Sequence, residues 1–209
     1  GNDTFVAGLS TTGGNTLGGA DNLAGGDGAD TLTIDLAASA TPLSITGIET
    51  INVTGAAATL NLNNASGVTS INVRGNSGAT EVTNIGALAN LGVSDTAQNA
   101  TFAFKSAATA ATGDSVALAL SDVASGSTVT VTGAITNLNV TANGTANVLT
   151  GLKSTSTKLT VAGAADVDFG ASATGTIDRT ATTVDASAAT GAVTFNSNHQ
   201  TLAVNITGG

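Results

Sequence analysis

The 209-residue chain contains no cysteine, methionine, tryptophan or tyrosine, and it has a single proline. Without cysteine it can form neither disulfides nor zinc–thiolate sites, and thiol chemistry is excluded. Five phenylalanines are its only aromatic residues, so a core must be built mainly from alanine, valine, leucine and isoleucine. Globular cores of this size usually contain several large rings and methionines. A thin core of small aliphatic side chains therefore favours a solenoid, in which coils stack on one another.

Charged residues are also scarce, at 9% of the chain, against about 25% in an ordinary domain. The formal net charge is −9, and the five Lys and Arg residues are scattered. Nucleic-acid binding and docking on anionic lipid both require clustered basic residues, so neither partner is expected. No apolar run is long enough to span a membrane, so membrane insertion is not expected. A mean hydropathy of +0.29, with many alternating β-branched runs, argues against disorder.

Glycine and aspartate are concentrated in residues 1–35. Residues 25–33, Gly-Gly-Asp-Gly-Ala-Asp-Thr-Leu-Thr, have the form G-G-x-G-x-D-x-U-x, where U is a large apolar residue. Residues 1–5 match the second half of this pattern, and residues 18–23 match it with deletions. Glycine permits a tight turn with positive φ, and aspartate offers the hard anionic oxygen that calcium prefers. The pattern predicts calcium binding, although aspartate and glycine also form turns without any metal.

The predicted site combines aspartate side chains with the backbone carbonyl groups of neighbouring glycines. Asp21 and Asp30 are the expected side-chain ligands. Since Ca²⁺ takes six to eight oxygens, one repeat cannot complete a site by itself. The predicted metal-binding residues are Asp3, Gly19, Asp21, Gly25, Gly26, Asp27, Gly28 and Asp30.

A period of 20 residues begins at residue 48. Ile-Glu-Thr-Ile-Asn-Val at 48–53 is echoed by Val-Thr-Ser-Ile-Asn-Val at 68–73 and by Leu-Ala-Asn-Leu-Gly-Val at 88–93. A second set of short apolar segments alternates with the first. A fixed period of this length with several short strands is typical of a parallel β-solenoid. Asn52 and Asn72 take equivalent positions and are expected to stack as an amide ladder, although the next equivalent position is glycine.

After residue 104 the period loosens, and residues 105–114 are predicted to be an insertion loop. Alternating apolar segments continue to residue 206 and helical spacing is nearly absent, so the predicted fold is all-β. An antiparallel β-sandwich is the alternative, but the regular period and the lack of a bulky aromatic favour the solenoid. We expect a glycine-rich calcium segment at 1–35 and a β-solenoid domain at 36–209, with a weak boundary near 105–115.

Residues suited to catalysis are scarce. His199 is the one histidine and lies in a polar stretch, where a solvated turn histidine is expected. The close acidic pairs outside the N-terminal segment are Asp166 with Asp168 and Asp178 with Asp185. Asp166 and Asp168 would share one face of a strand, where a second calcium site is the alternative to a solvated face. We therefore predict that the chain is not an enzyme.

The combination of these motifs resembles bacterial surface-layer proteins of the RTX-associated, type I-secreted kind. The resemblance is carried by Gly1 to Gly8, by the nonapeptide at 25–33, and by Gly47 to Thr54 with its echoes. Because the chain begins inside a motif, we expect it to be a fragment of a longer protein. It departs from the family in lacking a full tandem array of nonapeptides.

This resemblance implies a secreted protein on the extracellular cell surface, with a β-solenoid fold and calcium as its cofactor. It also implies self-assembly into a lattice, so that the partners are copies of the same chain, and cell-surface polysaccharide is a further partner to consider. Large RTX adhesins share the same composition, and an RTX-type adhesin or a carbohydrate-binding module stands as the alternative function.

Overall fold

The computed structural model describes residues 1–170, 181–195 and 203–209. Within these ranges the chain forms β-strands and one short 3₁₀ helix, Ser106–Thr109. In chain order the strands are β1 (Thr4–Ala7), β2 (Asn22–Ala24), β3 (Thr31–Leu36), β4 (Ser44–Thr46), β5 (Thr50–Gly55), β6 (Ala58–Asn61), β7 (Ala65–Ser66), β8 (Ser70–Arg74), β9 (Thr80–Ile85), β10 (Asn90–Ser94), β11 (Ala100–Phe104), β12 (Ser115–Ser121), β13 (Thr128–Thr132), β14 (Asn137–Asn143), β15 (Ala146–Val148), β16 (Gly151–Ser154), β17 (Lys158–Gly163), β18 (Asp166–Asp168), β19 (Thr183–Ala189), β20 (Val193–Thr194) and β21 (Asn205–Thr207).

The strands form parallel sheets, which confirms the predicted all-β solenoid and rejects the β-sandwich. A long ten-stranded sheet has the order β1-β3-β5-β8-β10-β12-β14-β17-β19-β21. The other walls are a five-stranded sheet, β16-β13-β11-β9-β6, and two three-stranded sheets, β15-β18-β20 and β2-β4-β7. Among the described residues every strand pairing is parallel, and the one antiparallel contact is an isolated bridge between Leu9 and Asn15.

The spacing of paired residues gives the length of each coil. Thr50 pairs with Ser70 and Ser70 pairs with Asn90, which are the 20-residue steps that the sequence predicts. Leu91 pairs with Leu118, a step of 27 residues, because the predicted insertion loop with its 3₁₀ helix lies between them. The long sheet therefore continues through the insertion.

Alternating side chains point inward and stack in columns along the solenoid. One column of the long sheet consists of Leu32, Ile51, Ile71, Leu91 and Leu118, each at most 2% exposed. Full burial of one such side chain is worth about 1.5–3 kcal/mol. Apart from a few phenylalanines the core is aliphatic, as the composition predicts.

Several strands of the long sheet end in the same kind of turn. Gly75, Asp95, Asp122 and Gly144 follow β8, β10, β12 and β14 at stacked positions, and each has a φ between 53° and 76°. Glycine adopts this left-handed conformation freely, whereas a residue with a Cβ does so at a penalty. A Cβ on Gly144 would also overlap the Asp122 carboxylate, whereas a Cβ on Gly75 would meet nothing within 4 Å.

Replacing Gly75 or Gly144 by alanine is therefore expected to destabilise the protein, and the loss should be larger at Gly144. Gly75→Ala adds only backbone strain, about 1–2 kcal/mol. Gly144→Ala adds the same strain and displaces the Asp122 carboxylate, which accepts the N–H of Thr145 at 2.8 Å. Chemical denaturation should show the larger loss of unfolding free energy for Gly144→Ala. Equal losses in the two variants would contradict the stacking of these turns.

Candidate functional site

The corner that leads into the long sheet carries the predicted calcium motif. Asp3, Asp30 and Glu49 directly precede β1, β3 and β5, and the strand register stacks them in one column. A glycine stands two residues before each of them. The G-x-D half of the nonapeptide is therefore one form of a repeated solenoid corner.

Carboxylates in this corner accept backbone N–H groups of the preceding coil. Glu49 Oε2 accepts the N–H of Asp30 at 2.8 Å, and Asp30 Oδ1 accepts the N–H of Asp3 at 2.6 Å. Threonine directly precedes several later strands of the long sheet, and Thr69 continues the column itself. The hydroxyls of Thr69 and Thr157 donate to the backbone carbonyl of the equivalent residue one coil earlier. Side chains at this corner thus join adjacent coils, whether they are acidic or neutral.

Asp30 is unusual among the acidic residues because its side chain is completely buried. Its second oxygen, Oδ2, has no hydrogen-bond partner among the described residues. A Cβ on Gly25 would lie 2.6 Å from Oδ2 and would overlap the carbonyl oxygen of Gly47. Asp30 Oδ2 and the Gly47 carbonyl oxygen therefore both lie close to the α-carbon of Gly25. A buried acceptor with no donor is costly, and a cation or a water molecule beside it would stabilise it.

Three other predicted ligands lie in the same turn as Gly25. Gly26 and Gly28 have φ values of 89° and 139°, which is the positive-φ conformation that the motif predicts for its glycines. Asp27 is exposed, and its carbonyl oxygen accepts the N-terminal amine of Gly1 at 2.7 Å. Position 28 packs so closely against the preceding coil that only glycine fits, because a Cβ on Gly28 would overlap the Gly1 carbonyl group.

Two predicted ligands lie elsewhere. Asp21 directly precedes β2 and Gly19 belongs to the turn before it, whereas the turn that contains Asp30 follows β2. Asp21 Oδ2 accepts the N–H of Gly18 at 2.7 Å, within its own turn. The structure therefore places the two expected side-chain ligands, Asp21 and Asp30, at different corners of the coil.

Glu49 was missed by the sequence prediction, although a signal for it exists. Gly-Ile-Glu-Thr at 47–50 has the same spacing as Gly-Asn-Asp-Thr at 1–4 and Gly-Ala-Asp-Thr at 28–31. The nonapeptide pattern specifies aspartate and therefore does not cover a glutamate at the equivalent position. Aligning the first 20-residue coil with the glycine-rich segment would have found it.

The oxygen atoms at this corner are of the type that calcium binds. Asp30 and Glu49 provide carboxylates, and Gly47 provides a carbonyl oxygen, all hard donors of the type that calcium takes. These are fewer than the six to eight oxygens of a complete shell. In the part of the chain that the structure describes, no group of three or more His, Asp or Glu residues is arranged to hold a metal ion.

The acidic residues considered for catalysis occupy turns and strand surfaces. Asp166 and Asp168 lie on one side of β18, as the sequence predicts, and each Oδ1 accepts a backbone N–H, at 2.7 and 2.8 Å respectively. These bonds give both carboxylates a structural role in holding turns. Asp178 and His199 lie outside the described residues.

Hydrogen bonds lower the pKa of two exposed aspartates. The hydroxyl and then the backbone N–H of Ser187 lower the pKa of Asp185. The backbone N–H of Thr145, followed by the hydroxyl of Ser121, lowers the pKa of Asp122. Both groups are solvent-facing and hold local turns, so their lowered pKa values do not indicate an acid–base catalyst.

Comparisons with models of protein families, with curated proteins and with solved structures found no match to this chain. Within the described ranges, no helix has the length and apolar character needed to cross a bilayer. Function must therefore be inferred from the residues of the chain itself.

The lowered pKa of Asp122 predicts a measurable sensitivity to acid. The charged carboxylate stabilises the folded protein above the ordinary aspartate pKa of 3.8, and this contribution is lost as the pH falls through the lowered folded-state pKa. The unfolding midpoint of Asp122→Asn should therefore fall less than that of the unmodified protein between about pH 6 and about pH 2.

Asp95→Asn is the matched control for this measurement. Asp95 occupies the stacked turn one coil earlier, and its carboxylate accepts no hydrogen bond from the described residues. This variant should retain the acid sensitivity of the unmodified protein. Identical acid profiles for the two variants would show that the hydrogen bonds of Asp122 are not responsible.

Proposed function

We propose that the chain is a structural protein of the extracellular cell surface, which assembles with copies of itself into a surface layer when calcium is present. The resemblance in the N-terminal motifs and in the 20-residue echoes supports this proposal. The solenoid is compatible with it, since an elongated stack of coils provides a continuous scaffold.

The calcium part of the proposal depends on one observation, the buried Oδ2 of Asp30 that lacks a hydrogen-bond partner. Burying an unpaired carboxylate costs several kcal/mol unless a partner compensates. A calcium ion beside Asp30 Oδ2 would be shared with the Glu49 carboxylate and the Gly47 carbonyl, and water would supply further oxygens. Such an ion would join the first coils of the long sheet.

Export and assembly follow from the same chemistry. Low calcium inside the cell leaves the acidic corner uncompensated, which keeps the first coils loose and suits passage through a secretion channel. Calcium outside the cell offsets the repulsion between carboxylates and fixes these coils. The later coils then stack on an ordered template, because each coil buries its apolar face only against its neighbours.

Asp30→Asn is expected to have opposite effects with and without calcium. An asparagine can still accept the N–H of Asp3 through Oδ1, and its neutral amide removes the buried negative charge. In chelator the variant should therefore be more stable than the unmodified protein, by about 1–3 kcal/mol. In calcium the unmodified protein should gain stability that the variant does not gain. Denaturation curves with and without calcium measure both effects.

Asp35→Asn is the control, because it removes one negative charge at an exposed position of β3 that is not among the predicted metal-binding residues. It should respond to calcium as the unmodified protein does. If a water molecule rather than calcium accompanies Asp30, neither protein will be stabilised by calcium, and the calcium part of the proposal is wrong.

Self-assembly is tested by calcium titration followed by light scattering and electron microscopy. Ordered arrays should form in calcium and disperse in chelator. An adhesin or carbohydrate-binding module would instead remain monomeric in calcium and be retained on specific glycans. If calcium and chelator leave both the stability and the oligomeric state unchanged, the proposed function is wrong.

A further inference from the structure

The middle of the long sheet presents an outward face without negative charge. Strands β5, β8, β10, β12 and β14 contain no acidic residue, although the chain has 14. Their outward side chains are serine, threonine, asparagine and small residues, with Arg74 as the single charged group. Asp95 and Asp122 lie in the turns that follow two of these strands. Arg74 forms no ion pair or hydrogen bond with the described residues.

A shallow depression of about 240 Å³ lies in this face. Its floor includes Gly92 and Ala119, which pair with each other on β10 and β12 and have no large side chain. Asn72 and Arg74, on the neighbouring strand β8, form one side. The depression thus has a flat floor with hydrogen-bonding groups and one positive charge along its side.

The predicted amide ladder supplies a free acceptor at this place. Asn72 Nδ2 donates to Asn52 Oδ1 at 3.0 Å, which confirms the ladder between these two coils. Gly92 ends the ladder because it has no side chain, and Asn72 Oδ1 occupies the space that a Cβ would take. Asn72 Oδ1 therefore reaches over the floor of the depression, and it accepts no hydrogen bond from the described residues. A hydroxyl group on a ligand could donate to it.

We propose that this depression binds an acidic polysaccharide, with a uronic-acid carboxylate on the Arg74 guanidinium and a sugar hydroxyl on Asn72 Oδ1. The planar guanidinium matches the two oxygens of a carboxylate. The hydroxyls of Ser94 and Ser121, which also line the depression, can bond further sugar hydroxyls. This ligand is additional to the proposed function and does not depend on calcium.

Other polymers fit this face less well. A nucleic acid carries a charge on every phosphate and needs a cluster of basic residues, whereas this face has a single arginine. An extended peptide pairs with the free edge of a sheet, whereas the depression lies over central, fully paired strands. A polysaccharide in which neutral sugars separate the uronic acids matches one arginine among neutral hydrogen-bonding groups.

Isothermal titration calorimetry of the 209-residue chain in chelator tests this proposal. The probe is gellan oligosaccharide, in which neutral sugars separate the glucuronates, and the matched probe is the same material after reduction of its carboxylates to alcohols. The unmodified protein should bind the acidic form, and the reduced form should bind at least about tenfold more weakly. No heat from the acidic form, or equal affinity for both forms, would overturn the proposal.

Two variants locate the site. Arg74→Gln should weaken binding at least about tenfold. Lys153→Gln makes the same charge change at an exposed position of β16, on the five-stranded sheet, and should change affinity less than about twofold. Equal losses in the two variants would mean that the chain attracts polyanions without this site.

Gly92→Asn tests the depression independently of charge. The new Cβ would displace Asn72 Oδ1, which is the end of a flexible side chain, and the new amide would fill the floor, while Gly92 itself has no positive φ that would exclude a side chain. Binding should fall at least about tenfold with the unfolding midpoint maintained. Unchanged affinity in a folded Gly92→Asn variant would place the polysaccharide elsewhere.

Discussion

Each coil of this solenoid buries its apolar residues only by lying against the next coil, and most features of the chain follow from that requirement. Parallel pairing brings residues one coil apart into direct contact. Inward positions become aliphatic columns, such as the one that joins Ile51, Ile71 and Leu91. Outward-facing side chains must also pack beside a similar side chain of the coil on either side, at the strand spacing of about 4.8 Å.

That spacing accounts for the scarcity of charge. A column of like charges about 4.8 Å apart would repel along its whole length. Asparagine, serine and threonine can instead donate to and accept from a copy of themselves, as Asn72 and Asn52 do. A charged side chain is tolerated on the flat face when its stacked neighbours are neutral. Arg74, which pairs with Ser94 and precedes the turn at Gly75, meets this condition.

The 20-residue coils could be predicted because they have no insertions, so every column appears as a repeat in the sequence. Coils of other lengths hide the same columns, and pairing across the 105–114 insertion could not be derived from spacing alone. The spacing of apolar residues also fails to predict which side chains are buried at the corners, where the chain changes direction. Leu88 is 38% exposed although its equivalents Ile48 and Val68 are buried, and the adjacent Ala89 is buried instead. Sequence does not tell which of two neighbouring corner residues turns inward.

The acidic corner is the exception to the rule against stacked charge, and sequence identified only part of it. The nonapeptide pattern pointed to Asp30 and Asp3 but grouped Asp21 with them, because it could not show that β2 separates two corners. Stacking adds Glu49 to the column and explains how it is tolerated, since it accepts the N–H of Asp30. One carboxylate oxygen, Asp30 Oδ2, is left buried without a donor. In the next coil Thr69 makes the link at this position through its hydroxyl, so the contact between coils does not require the second oxygen of a carboxylate, and this oxygen is the reason for proposing calcium at this corner.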